Sequence, residues 1–452
     1  SSVGLAGSLA LNVTANKSEA YIAGDRTGTA EDGNTTTASI NAGNGALTLD
    51  AQNKSTSTVN AGADVKPGEG QDPAQVGVGA SIGLNVGVNQ TRAEVEDEVA
   101  LSGIGSASLT AASDHTMTTD ATGGAAGGVA VTPLAALSIS VNETRAQLGS
   151  GSEVAIVEGL TAEAEQKSSV TTTATGQTEG SNVAVGASLG LTVAVDTVTA
   201  TTGRDIAAGT GDVSFTAKSA ASSATKATAS VAGGKEADEN GEAEAGQDVN
   251  AQVANQRSFA AGQSSEAGDA TSDAETPTAD TDDSGGSVSV AAAIGVNVGV
   301  SNTTAYIPEE RRVSSTGGAL NLTTVATTDA SAVAEGKQVD STGGTAVGVG
   351  AAVALNVGVA NTTAYIGDDA DIDTVGVNLS ARTTAAGEEE AINAFKAEAV
   401  SGAGASSVGL AGSLALNVTA NKSEAYIAGD RTGTAEDGNT TTASINAGNG
   451  AL

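Results

Sequence analysis

The chain has 452 residues, a formal net charge of −34, 60 glycines, no cysteine or tryptophan, and only 2% aromatic residues. An acid excess of that size opposes binding to nucleic acid or insertion at an anionic membrane, and the lack of cysteine excludes disulfide staples. The scarcity of Phe and Met excludes a bulky conventional core, while 39% hydrophobic residues are too many for a disordered chain.

The first element is an apolar phrase beginning at Val3, and it recurs from Val76, Val129, Val183, Val288, Val347 and Val408. The copies at 288–310 (VSVAAAIGVNVGVSNTTAYIPEE) and 347–369 (VGVGAAVALNVGVANTTAYIGDD) show the pattern most plainly. Counting the opening Val as zero, the even offsets are Val, Leu or Ile at positions such as Val349, Leu355 and Val357. The odd offsets are nearly all Gly, Ala, Ser, Thr or Asn, as at Gly348, Gly350 and Asn356. Period two over some thirteen residues predicts a strand; a helix would scatter these residues round its circumference.

After offset 12 the apolar residues change parity, which predicts a bend or bulge. Alanine then stands at offset 17 in every copy (Ala20, Ala93, Ala146, Ala200, Ala305, Ala364, Ala425). Tiny residues on one face predict that another backbone layer approaches it closely, either the opposite wall of a flattened solenoid or a neighbouring molecule. A turn of Gly and acids follows each phrase, and then a second, Thr- and Ser-rich strand, such as ALTLDAQNKSTSTV after Gly45 or VNLSARTTAAG at 377–387.

Strand, turn, strand, turn at near-constant spacing predicts an all-β, repetitive parallel β-solenoid, because one unit cannot bury a face alone but a stack can. A step near 54 residues fits one wide coil or two narrow ones. Residues 1–47 recur without change at 406–452. Residues 1–405 therefore read as one tandem unit of six modules, with 406–452 starting the next identical unit. The chain opens in mid-phrase, so its ends are expected to lie inside a longer array. Residues 235–285 break the pattern with thirteen acids against Lys235 and Arg257, and predict an acidic loop excursion within the unit. EEEAINAFKAEAV at 388–400 predicts a short helix at a coil edge.

The sole histidine, His115, lies in a Thr-rich strand, which argues against a Ser/His/Asp arrangement. Asn12, Asn85, Asn297, Asn356 and Asn417 share offset 9, and stacking would make them an amide ladder. At offset 22 the turns carry Asp25, Glu98, Asp205, Glu310 and Asp369. Stacked acids would repel unless they splay into solvent or hold cations between them. Asp368, Asp369, Asp371 and Asp373 of DDADID add the oxygen density that calcium prefers, without an EF-hand or GGxGxD pattern. Calcium is the only cofactor these residues suggest.

The phrase and the VNLSART that follows it at 377–383 resemble the repeats of large secreted bacterial surface proteins, the filamentous-haemagglutinin-like and autotransporter-type adhesins. The resemblance implies parallel β-helix stalks and an extracellular or cell-surface location. The expected role is a non-enzymatic segment of a giant fibre, partnered end to end by identical units and laterally by other fibres. The alternatives are a carbohydrate-active β-helix enzyme and a calcium-stabilised sheath protein.

Overall fold

A computed structural model describes residues 2–24, 38–66, 74–233, 288–339, 347–383, 393–405, 408–428 and 444–446. Within them every regular element is a strand, all the pairings are parallel, and one hydrogen-bonded sheet links seventeen strands. The architecture is a parallel β-solenoid. The acidic excursion expected at 235–285 lies outside the described residues.

Three ladders make up the stack. The first contains β1 (Val3–Ile22), β3 (Val76–Val95), the ends of β4 (Ala100–Leu148) and β6 (Leu160–Thr202), β9 (Val288–Ile307), β12 (Val347–Ile366) and β16 (Val408–Ile427). The second joins β2 (Ser39–Val65), the beginnings of β4 and β6, β8 (Val213–Gly233) and β11 (Leu320–Val339) to β14 (Val377–Arg382) and β15 (Phe395–Gly402). Short strands β5 (Val154–Ile156), β7 (Ile206–Ala208), β10 (Arg312–Ser315), β13 (Asp371–Asp373) and β17 (Ser444–Asn446) form the third side.

Val3 pairs with Val76, Val76 with Val129, Val129 with Val183, Val183 with Val288, Val288 with Val347, and Val347 with Val408. Each recurrence of the phrase is therefore one strand spacing along the stack. One recurrence makes one wide coil.

The cross-section is a wedge. At its thin edge β4 and β6 pass directly from the second ladder into the first, and the two walls touch backbone to backbone. A Cβ on Gly79 would collide with the Gly124 carbonyl, and one on Gly350 with the Gly402 carbonyl. The small-residue face thus packs inside the solenoid against the opposite wall. At the broad edge the walls diverge around a true apolar core of columns such as Leu109, Phe215 and Leu322, with Ala93, Ala146, Ala200, Ala305 and Ala364 fully buried beside them. Each buried Leu or Ile there contributes roughly 1.5–3 kcal/mol.

Two expectations are corrected. No bulge follows offset 12, because burial alternates without interruption through all 20 residues of β9 and β12. What changes is the interior: the thin part admits only small and polar side chains, whereas the broad part demands apolar ones. Nor do residues 395–400 form a helix. Phe395–Gly402 extends the second ladder as β15 on the edge of β11, where backbone pairing satisfies groups that a helix would leave open; residues 388–392 lie outside the described residues.

Candidate functional site

The inward residues of the thin half are polar and bonded to one another. Asn12 Nδ2 donates to Ser57 Oγ at 2.8 Å, and Ser57 Oγ donates to Asn85 Oδ1 at 2.6 Å. In the middle coils the amides give way to hydroxyls, with Thr225, Thr192, Thr172, Ser138 and Thr119 linked in series at 2.6–2.7 Å. The amide ladder then resumes through Asn297, Asn356 and Asn417, each step 2.9 Å. The asparagine column is a structural spine in which most buried polar groups satisfy each other, the Asn297 Oδ1 being the one amide oxygen of the column left buried without a partner among the described residues.

Four residues along at offset 13, a second ladder has one direction. Asn16 donates to Asn89 at 2.8 Å, Asn89 to Asn142 at 2.6 Å, and Asn142 to Asp196 at 2.7 Å. Gln166 from the facing wall donates to the same Asp196 oxygen at 2.6 Å. Asp196 is fully buried, and burial pushes its pKa up to about 6 against the opposing hydrogen bonds. Neither its charge nor its burial was foreseen. The signal was an Asp in a column that otherwise holds Asn, Ser or Ala.

His115 is nearby and buried, its Nδ1 2.7 Å from Ser55 Oγ, and burial lowers its pKa against the pull of Asp114. Asp114 points through the other face of the sheet to Lys54 at 2.8 Å, so it does not orient the imidazole.

The acidic edge separates rather than gathers its carboxylates. Glu98, Glu310 and Asp369 occupy left-handed turn positions with φ of 60°, 59° and 56°, as short turns with an acid allow. Only Glu310 and Asp369 belong to adjacent coils, where the Glu310 amide donates to the Asp368 carbonyl at 3.0 Å. Asp368 Oδ1 accepts the Asp369 amide at 3.1 Å.

Asp205 does not join that column. Its turn runs from Thr201 to Ile206 where the next coil runs from Tyr306 to Val313, two residues more, which sets Asp205 level with Arg312 and Asp371. There Asp205 accepts the Arg312 amide at 2.8 Å and lies 3.8 Å from Arg311, while Arg312 meets Asp371 at 3.3 Å. Asp373 accepts Asn446 at 3.0 Å. Arginines and an amide thus lie between these acids. Among the described residues no three acidic or histidine side chains converge to hold a metal ion; Asp25 lies outside them.

Two arginines escaped the sequence reading. Arg204 fills the space left by the shortened turn, fully buried, and donates to the carbonyls of Gly149 (2.6 Å), Val99 (2.7 Å), Ser150 (3.0 Å) and Glu96 (3.2 Å). Burial lowers its pKa, and the charges of Asp97 and Glu98 oppose that. Arg92 lies 4.4 Å above the Tyr21 ring and bonds Glu19, Glu94 (2.8 Å) and Glu96 (2.9 Å). Its burial disfavours the charge, but those carboxylates outweigh it and raise the pKa. In the last coils Tyr306, Tyr365 and Tyr426 stack at 4.9 and 5.3 Å, and burial among them pushes Tyr365 up to about 12.

Over offsets 0 to 12 the outer face of the first ladder is uniformly apolar. Because the odd offsets point inward, the Val, Leu and Ile at even offsets point out. Ile82 is 47% exposed, Val88 49%, Leu189 37% and Ile294 43%, all in strands flanked on both sides. The sequence periodicity located this face; its direction was not legible, since either face could have been the core. Against family models, curated proteins and solved structures, the chain shows no significant match.

Proposed function

We propose that the chain is a structural, non-enzymatic segment of a giant extracellular tandem-repeat fibre, acting as an adhesin stalk or filament at a bacterial surface. One observation carries the reading. Strand β16, whose sequence repeats β1, sits on β12 in unbroken register from Val347↔Val408 to Ile366↔Ile427. The last coil of one unit is therefore the seat for the first coil of the next, and the stack continues by adding more of itself.

The polar groups that chemistry would use are instead committed to support. The Asn columns bond along the stack, Arg204 holds turn carbonyls, and the edge acids are interleaved with Arg311 and Arg312. A β-helix glycosidase would need carboxylates converging on a groove. Here the edge acids Asp205, Asp371 and Asp373 are engaged by Arg311, Arg312 and Asn446 along the turns.

Electron microscopy tests the role directly. Adding one further 405-residue unit should lengthen the rod by about 29 Å, six coils at about 4.8 Å, with no change in width, and aligned fibres should diffract near 4.8 Å along their axis. Separate globules without that spacing, or turnover of a polysaccharide that stops when one acid is replaced, would overturn it.

A further inference from the structure

Of the ten outward positions per coil on the first ladder, the first seven, offsets 0 to 12, carry no charged or polar side chain in any of the seven coils. Thirteen residues along the strand and seven strands across span about 40 by 30 Å, or roughly 1,200 Å². Monomeric proteins seldom expose a contiguous apolar patch above about 300–600 Å². A standard interface takes about 800 Å² from each partner. The face is thus large enough to hold a stable pair, and costly to leave in water.

Its relief is regular. The column at offset 4 is Gly or Ala in six of the seven coils (Gly7, Ala80, Ala187, Ala292, Ala351, Gly412) and Pro133 in the other, with larger side chains such as Val78 and Ile82 on either side in most coils. A shallow furrow therefore runs parallel to the stack axis between two ridges. Outside the coil of Pro133 and Ala135 the relief repeats at each strand spacing, so an identical face fits it after a shift by whole coils.

Charge decides between occupants. With a formal net charge of −34, the molecule is repelled by anionic lipid surfaces. Two copies meeting through these seven columns desolvate no charge, because the charged outward positions of the same strands, such as Glu19, Glu94 and Glu143, lie further along, beyond offset 12.

We propose that this face docks on the same face of a second copy, sheet against sheet at about 10 Å, so that the molecules associate laterally in pairs. The inference stands on the face itself and does not require the fibre reading. Lateral pairing reads out as width, whereas the fibre reading concerns length.

The chain has no cysteine, so a single thiol can report on one face of the full chain. Pyrene attached at Val193→Cys, on the apolar face, should give excimer emission, and pyrene at Thr171→Cys, exposed on the other wall, should not. The triple variant Leu84→Glu, Val193→Glu, Val298→Glu should weaken association by more than about a hundredfold, because unpaired charges would be buried. Its circular dichroism should match the original, since these side chains already face outward. Doubled width in electron micrographs should disappear with it.

Excimer emission absent at Val193 or equal at both sites would overturn the proposal, as would unpaired original chains or pairing that survives the triple change. Loss of the Val193 excimer on binding to neutral phosphatidylcholine vesicles would assign the face to lipid instead. Should the triple variant misfold, the paired cysteine probes still decide.

Discussion

Asp196 stands where the three preceding coils place Asn16, Asn89 and Asn142, and it receives the end of their ladder. A carboxyl whose pKa is raised on folding binds more protons folded than unfolded between the two values. Stability is therefore greatest at low pH and falls as pH rises through that window. The rise from 3.8 to about 6 corresponds to about 3 kcal/mol lost once the group ionises. Asp196→Asn, which the column already accommodates in other coils, should abolish that fall and raise the melting temperature at pH 7 while changing it little at pH 4. Equal effects at both pH values would mean that Asp196 is not buried as described. The column was legible in the sequence as repeated Asn at a fixed offset. The facing Gln166 was not, because it comes from another strand through tertiary packing.

Among the elements, the twenty-residue strand of the first ladder holds the main lesson. Its period, its alanine column and its coil-to-coil register could all be read from the repeats. The inside of the fold could not, because alternation specifies two faces without saying which one the second strand covers. The choice falls to the small face because the walls meet at the wedge's thin edge, where Gly79 and Gly124 leave no room for a side chain. The supposed phase slip was the same ambiguity: the backbone continued and the space inside widened. Gly79→Leu should therefore cost at least about 3 kcal/mol, since a backbone carbonyl cannot move aside, and Ala93→Leu in the apolar core about 1–3 kcal/mol. Ile82→Thr on the outer face should change stability by only about 0.5 kcal/mol. Denaturant unfolding of the three variants checks the ranking, and an outer substitution as costly as Gly79→Leu would reverse the assignment of faces.

For the molecule as a whole, the solenoid was legible because its unit recurs, and recurrence betrays stacking even where single strands are ambiguous. The edge chemistry was less so: alignment by offset put Asp205 with Glu310, whereas a turn two residues shorter moves it beside Arg312. Acid excess should make stability rise with ionic strength as self-repulsion is screened. No acids converge on a metal-sized site among the described residues. Calcium chloride and sodium chloride at matched ionic strength should therefore raise the melting temperature alike. A clearly larger shift with calcium would require a specific site.

The seating of β16 on β12 also bears on heredity. Residues 406–452 repeat 1–47 letter for letter, so the contact across the junction is the same wherever a whole unit is gained or lost. Unequal recombination between such copies would add or remove material in steps of about six coils and rebuild an identical joint each time. A register built this way tolerates changes in copy number that would be ruinous in a fold with one unique core. In the proposed tandem array, length would then be a trait that a population could vary without reinventing the structure.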